Sequence, residues 1–379
     1  MVNKVPEIRF AGFKGDWDSG LFKDIIKSIP ASRYYSESHR KGEFPVIQQG
    51  DNPIAGYADG IPFNNSSDII VWGDHTRSIY RPISNFFISG DGVRVFKIST
   101  KHPNINEILL ERYKPASNGY SRHATVLYKS SYFIPATPSE QLYVGQLFCA
   151  IDKAITNQEE LVTQHKHTFN ALLNSLLPHG HETRPRICVG SFSGDWKEKY
   201  LYSIVSPYNE IVETPRNGYE RLGIRSYGKG TFHSYVPKGA ELETAQMSVV
   251  RPNNLIVNIT FGWELAVAIT SSDDEGKLVS HRFPQFSFNE EYVPLFFRYA
   301  LINNRFRKHL TLASPGSAGR NRVLKIDKML EYKLLVPSAK EQKAISDILS
   351  EYDRLIQLNE EKLGKLRNLK QALLDKMFV

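Results

Sequence analysis

The chain states one pattern twice, and no other feature limits its fold as much. Near the N-terminus it reads Pro6-Glu-Ile-Arg-Phe-Ala-Gly-Phe-Lys-Gly-Asp-Trp17. In the middle it reads Pro185-Arg-Ile-Cys-Val-Gly-Ser-Phe-Ser-Gly-Asp-Trp196. Pro, Ile, Phe and Gly-Asp-Trp align without a gap at an offset of 179. A second pair follows each copy. Ile134-Pro-Ala-Thr-Pro-Ser-Glu-Gln141 and Val336-Pro-Ser-Ala-Lys-Glu-Gln342 each lead into a long apolar-periodic run. There Glu140-Gln141, Asp152 and Ile155 return as Glu341-Gln342, Asp353 and Ile356, at an offset of 201. Two separate blocks in the same order mark a tandem duplication: globular segment, helix, globular segment, helix.

The two long runs read as helices. After Pro135, the Ser139-Glu-Gln turn can cap an N-terminus and places an acidic side chain in the first turn. Apolar residues recur at Leu147, Ile151, Ala154, Leu161 and Leu172, and in the second copy at Ile348, Tyr352, Leu355, Leu366, Leu369 and Leu373. Alternating threes and fours describe a coiled-coil seam. Gln158 and its equivalent Asn359 interrupt both seams at the same level. A polar pair there would fix helix register; a solvated position is the plain alternative. About 40 residues of continuous helix reach ~60 Å, too long for a lid on one small domain.

The globular segments between the repeats differ. The first carries short β-like runs such as Asp68-Ile-Ile-Val-Trp72 and Val93-Arg-Val-Phe-Lys-Ile98. The second carries Leu255-Ile-Val-Asn-Ile-Thr260, Leu265-Ala-Val-Ala-Ile-Thr270 and a helical pattern from Val293 to Leu310. Mixed strands and short helices predict α/β or α+β modules. The scaffold repeats while the modules diverge, as expected of two different readers on one frame.

Charge favours a polyanionic partner only weakly. The 379 residues carry a net charge of +8, which a solvated basic surface explains equally well. Placement says more. Nine Lys and Arg lie between Arg298 and Lys333, opposed only by Asp327 and Glu331. Within that stretch Ser314-Pro-Gly-Ser-Ala-Gly-Arg-Asn-Arg322 is a small-residue loop tipped with two arginines. The stretch Gly223-Ile-Arg-Ser-Tyr-Gly-Lys-Gly-Thr231 nearly spells the phosphate loop GxxxxGK[ST], but Gly230 stands where the magnesium-binding hydroxyl belongs. Phe232-His-Ser-Tyr-Val-Pro237 does not open a helix after it. The loop therefore suits close approach to a DNA backbone or groove, with an ordinary turn as the bland reading.

Other chemistries find no support. Cys149 and Cys188 form no CxxC or Cys/His zinc spacing, and the linker histidines with His165 and His167 lack acidic or cysteine co-ligands. Ser206-Pro-Tyr208 is not the [DN]PP[YF] motif of adenine methyltransferases, no GxSxG elbow occurs, and Asp273-Asp-Glu275 reads as a turn. No catalytic residue, metal or cofactor is expected. The start, MVNKVPEIRF, has no signal-peptide core, and no apolar run approaches the ~18 residues of a membrane helix. The expectation is a cytoplasmic protein with no membrane partner.

With these residues in view, the chain resembles the specificity subunit of a Type I restriction–modification system. The carriers are the paired Phe-x-Gly-Asp-Trp and Glu-Gln...Asp-x-x-Ile blocks. Ile54-Ala-Gly-Tyr57, Gly73-Asp-His-Thr-Arg77 and Gly119-Tyr-Ser-Arg-His123 look like one class of target-recognition domain, and Leu222-Gly-Ile-Arg-Ser-Tyr-Gly-Lys-Gly230 with Val279-Ser-His-Arg-Phe283 like another. One departure is Cys188-Val189, which replaces Arg9-Phe10. The resemblance implies an α+β chain. It would hold two globular α/β target-recognition domains separated by two long antiparallel conserved helices, a coiled-coil spacer, with a pseudo-twofold internal repeat. The expected boundaries are recognition domain one at 1–134, central helix at 135–178, linker and repeat at 179–196, recognition domain two at 197–336, and C-terminal helix at 337–379. It implies a non-catalytic subunit that reads an asymmetric bipartite site on double-stranded DNA. Two modification (methyltransferase) subunits and the restriction (translocase/endonuclease) subunits would dock on it. The candidate DNA contacts are His75, Arg77, Arg122, His123, Arg225, Lys229, Arg320, Arg322 and Lys325. The alternatives are a stand-alone nuclease or nucleotide-dependent DNA enzyme, and a purely structural coiled-coil adaptor.

Overall fold

The computed structural model describes residues 4–90, 92–119, 121–179, 182–192, 194–316 and 322–379. Two compact units emerge: residues 1–161 with 359–379, and residues 162–358.

In unit 1 the chain runs through β1 (Asp18–Leu21), α1 (Phe22–Ile25), β2 (Ile26–Ile29), β3 (Phe44–Ile47), β4 (Ile54–Ala58), β5 (Ile69–Gly73), β6 (Ile79–Tyr80), β7 (Phe87–Ile88) and β8 (Val93–Ile98). Then come α2 (Asn106–Tyr113), α3 (Ala124–Lys129), β9 (Ser131–Ile134) and the long α4 (Pro138–Leu176), whose residues from 162 on belong to unit 2. Two larger sheets form, ordered β2-β8-β5-β6 and β4-β3-β7. β5 is buried at every position, and its β-branched and aromatic run, Ile-Ile-Val-Trp, suits a strand covered on both faces. Ile70, Trp72 and Phe96 pack with Trp17, Leu109, Leu127 and the helix residues Val144 and Phe148.

In unit 2, β10 (Lys197–Tyr200), β11 (Val205–Tyr208), β12 (Ile211–Glu213), β13 (Tyr219–Ile224), β14 (Thr231–Val236), β15 (Gln246–Val249), β16 (Asn254–Val257), β17 (Val267–Ile269), β18 (Leu278–Val279) and β19 (Gln285–Phe288) precede α5 (Pro294–Ala300), α6 (Asn304–Leu312), α7 (Ile326–Leu330), β20 (Lys333–Val336) and α8 (Ala339–Lys376), whose residues from 359 on belong to unit 1. The sheets are ordered β11-β19-β16-β17 and β12-β15-β18-β13-β14. The helical pattern from Val293 to Leu310 is two helices rather than one. Asn303 ends the first path and caps α6, accepting the Phe306 N–H at 2.8 Å.

The repeat is visible inside each unit taken by itself. β1 pairs antiparallel with β9, and β10 with β20, so each module is closed where it meets its helix. Gln141 donates to the carbonyl of Pro135 at 2.8 Å and accepts the His102 N–H at 2.8 Å. Gln342 repeats both contacts, donating to Pro337 at 3.0 Å and accepting from Val293 at 2.9 Å. The capping hydroxyls belong to Thr137 and Ser338, not to Ser139.

The helix seams run through neighbours of several expected residues. In α4, Val144, Phe148, Ile151, Gln158 and Val162 are buried; in α8, Ile345, Leu349 and Ile356 are. Extended by the half-buried Ile155, Tyr352, Asn359 and Leu363, both helices follow the same four-three alternation at the 201-residue offset. Leu161, Leu355 and Leu369 are exposed instead. They satisfy a three-four spacing too, and only packing chooses between overlapping stripes.

Candidate nucleic-acid interface

In unit 2 the near-phosphate-loop is the tip of a hairpin. β13 and β14 pair from Tyr219↔Val236 to Ile224↔Thr231, leaving residues 225–230 as the turn. No helix follows, so the nucleotide-binding geometry is absent from this stretch. Tyr227, Gly228 and Gly230 all adopt positive φ, at 63°, 64° and 79°. At Gly228 a Cβ would also lie 2.8 Å from the Ile302 side chain, so both conformation and space require glycine. The turn is tied down from behind: Tyr227 N–H donates to Glu264 O at 2.7 Å and Gly228 N–H to Leu265 O at 2.9 Å. Arg225 is exposed, donates to the Thr231 carbonyl and lies 5.2 Å from the Phe232 ring centroid. The Lys229 ammonium, also exposed, sits 6.0 Å from the Tyr227 ring.

Beside the hairpin lies a groove of about 520 Å³ bounded by Tyr227, Trp263, Arg307, Lys308, Leu312 and Arg322. α6 explains its charge. Phe306 and Leu310 face the core, which leaves Arg307 and Lys308 exposed. The Arg322 guanidinium lies 5.4 Å from the Trp263 ring centroid and donates to Gly316 O at 3.3 Å. The Trp263 indole N–H is buried with no acceptor. The one acid on the groove, Glu264, accepts the Ser226 hydroxyl at 2.5 Å. The result is three cations and two aromatic rings on one open face, a composition that neutralises phosphates and stacks on planar groups. Lys325 is exposed just before α7. Arg320 lies outside the described residues. Arg307, Lys308, Tyr227 and Trp263 were not among the expected contacts. The cluster of cations between 298 and 333 pointed at the first two and the 223–231 loop contains Tyr227, whereas nothing in the sequence marked Trp263.

In unit 1 the expected residues divide. Arg122 is exposed. His75 is half-buried, with its Nδ1 3.2 Å from Ser121 O and its N–H donating to Gln49 Oε1 at 3.2 Å. Arg77, at φ 59°, turns its guanidinium inward to Pro115 O at 3.0 Å. His123 is buried and is a structural residue here: Nδ1 lies 2.9 Å from Asp74 O, and Nε2 accepts the Asn118 N–H at 3.2 Å. The neighbour that organises this end is Asp74, 1% exposed, whose carboxylate accepts the Ala124 N–H at 2.7 Å and Arg94 Nε at 2.6 Å. It stands inside the quoted Gly73-Asp-His-Thr-Arg77 run, yet its role is visible only where residues 94 and 124 converge on it. Gln158 and Asn359 do meet, with Gln158 Nε2 donating to Asn359 Oδ1 at 2.8 Å.

Among the described residues, no group of three His, Cys, Asp or Glu is arranged as a metal site. Likewise, no helix among them is long and apolar enough to cross a membrane. Asp274 of the Asp273-Asp-Glu275 run is buried in a 3-10 turn, bonded to Ser271 and to His233.

A scaffold stated twice, carrying two unlike modules, defines a class of paired-module proteins. Residues 250–368 match the family described as the Type I restriction modification DNA specificity domain. Over that stretch the chain is similar to the specificity subunits of Type I restriction–modification systems. It is 21% identical over 258 residues to the Type I restriction enzyme MjaVIII specificity subunit of Methanocaldococcus jannaschii, a match covering 64% of this chain and 60% of that relative's length. The fold is shared with the S subunit of a Type I restriction–modification system from M. genitalium, at a TM-score of 0.64, 13% identity and 99% coverage of both chains.

Proposed function

We propose that the chain is the DNA-reading, non-catalytic subunit of a Type I restriction–modification complex. It recognises an asymmetric bipartite site on double-stranded DNA. The recognition modules are residues 1–134 and 197–336. The helices at 135–178 and 337–379, joined through 179–196, set the gap between half-sites and carry the docking surfaces. Two modification subunits, which methylate adenine, and the restriction subunits assemble on them. The observation that carries this reading is the basic, aromatic-floored groove between the 225–230 hairpin turn and α6. Arg322, Arg307 and Lys308 are its principal contacts, with Arg225, Lys229 and Lys325 flanking them and Arg320 as a further contact. In the first module Arg122 and His75 serve the same end. The Gln158–Asn359 pair holds helix register.

The test is a genome-wide map of methylated adenines in the host with and without this gene. The reading requires one bipartite motif to vanish with the gene and return with it. DNA cutting or ATP turnover by the purified chain alone would overturn it.

A further inference from the structure

The three cations of the unit 2 groove are not held alike. Arg307 and Lys308 are exposed on α6, and among the described residues neither meets a carboxylate or lies over an aromatic ring. Side chains left that free suit phosphates, whose charge can be met from many directions. Arg322 is half-buried and held twice. Its guanidinium carbon lies 5.4 Å from the Trp263 ring centroid, and its Nε–H donates to Gly316 O at 3.3 Å.

The backbone beneath this pair is pinned at one anchor. Leu324 is 3% exposed and its N–H donates to Ile259 O at 2.9 Å, while the Lys325 N–H donates to Ala313 O at 2.9 Å. Leu324 packs directly on Gly262, where an added Cβ would lie 2.7 Å from Leu324 Cδ2. Gly262 precedes Trp263, and Leu324 follows Arg322 by two positions. One buried contact therefore sets the ring and the guanidinium against each other.

The Gly316 tether uses Nε, so it leaves both Nη groups to other partners. Among the described residues no carboxylate lies within ion-pair distance of Arg322; Glu264, on the same groove, accepts the Ser226 hydroxyl. Exposed apolar groups stand on the same walls: Leu312 is 84% exposed and Tyr227 55%. Phosphate oxygens offer such side chains nothing to cover, whereas base edges carry ring carbons and the thymine methyl.

We propose that Arg322 is a specificity-determining residue of the second module, reading one guanine. Held over Trp263, it presents its Nη groups to O6 and N7 in the major groove, while Arg307 and Lys308 hold phosphates. The inference rests on the DNA-reading function proposed above and assigns a base to one residue of that groove. A fixed planar fork matches the two guanine acceptors, which a lysine ammonium engages only as a point charge.

The test compares host maps of methylated adenines made with the parent gene and with Arg322→Lys, a change that keeps the charge and removes the fork. One guanine in one half-site should become degenerate, its preference over the other bases falling on the order of tenfold or more. The other half-site and the gap should stay as they are. Trp263→Leu, which removes the ring that holds the fork, should relax the same position. Arg307→Ala and Lys308→Ala should keep the motif and lower methylation evenly across its sites. The proposal is overturned if Arg322→Lys leaves the motif unchanged, relaxes a base other than guanine, or lowers methylation at all sites alike. It also fails if Trp263→Leu relaxes a different position. A parent map with no motif that depends on the gene would instead remove the DNA-reading function on which it rests.

Discussion

Arg9 and Glu140 show how much one position in a repeat decides. Arg9 Nε and Nη2 donate to the two oxygens of Glu140 at 2.6 and 2.9 Å, whereas in the second copy Cys188 stands in place of Arg9 and the matching carboxylate is Glu341. The Arg9–Glu140 pair is almost fully buried, so replacing Arg9 by alanine strands a carboxylate in the interior of unit 1. We expect a loss of about 3 kcal/mol, read by denaturant unfolding. Trp17→Phe should cost only the packing that a smaller ring gives up in the core, since the Trp17 indole N–H has no acceptor to lose. Asp274 makes a pH prediction. Burial alone would raise its carboxyl, but hydrogen bonds from the Ser271 backbone and the His233 side chain, then those from the Thr231 and Ser271 side chains, hold it below the usual carboxylate range. A depressed folded pKa stabilises above the unfolded value near pH 4 and is lost as pH falls through the lower folded value. The stability difference between the parent and Asp274→Asn, about 2 kcal/mol, should therefore be full at pH 6 and fade below about pH 4.

At the scale of elements, the hairpin turn and the paired helices carry separable tests. Gly228→Ala meets both a positive φ and the Ile302 side chain, whereas Gly230→Ala meets only the φ, with nothing within 4 Å of the added carbon. Gly228→Ala should be the more destabilising of the two by thermal unfolding, and should weaken DNA binding because the turn frames the groove. Arg307→Ala, Lys308→Ala and Arg322→Ala should each lower the slope of log affinity against log salt by about 1 where the side chain meets phosphate. Where it reads a base, the cost is about 1–3 kcal/mol and specificity relaxes at that position. In the helices, Gln158→Ala should cost about 1 kcal/mol. The double change to leucine at 158 and 359 should restore stability while loosening register, read by cysteine cross-linking across the pair.

At the scale of the whole molecule, the reading rests on modularity. Exchanging residues 197–335 for those of a relative should change one half-site in the methylation map and leave the other intact. Inserting one helical turn into residues 139–177 should lengthen the gap between half-sites. The architecture was legible because duplication is a one-dimensional property: Gly-Asp-Trp and Glu-Gln recur at fixed offsets whatever the chain does in space. Helix existence was legible for the same reason, since a three-four period survives in the letters. The choice of seam was not, because Ile151-type and Leu161-type stripes overlap on one helix and burial alone selects between them. Contacts were the least legible. His123 and Arg122 are neighbours in sequence, yet one is locked onto Asp74 and the other faces water. Tyr227 and Trp263 share a groove although 36 positions separate them. By itself the sequence determined a frame repeated twice around two different modules, since that is a matter of order along the chain. Only the tertiary structure decided which cations stay in solvent and which carboxylate keeps an arginine, since desolvation depends on what packs around a group rather than on what precedes it.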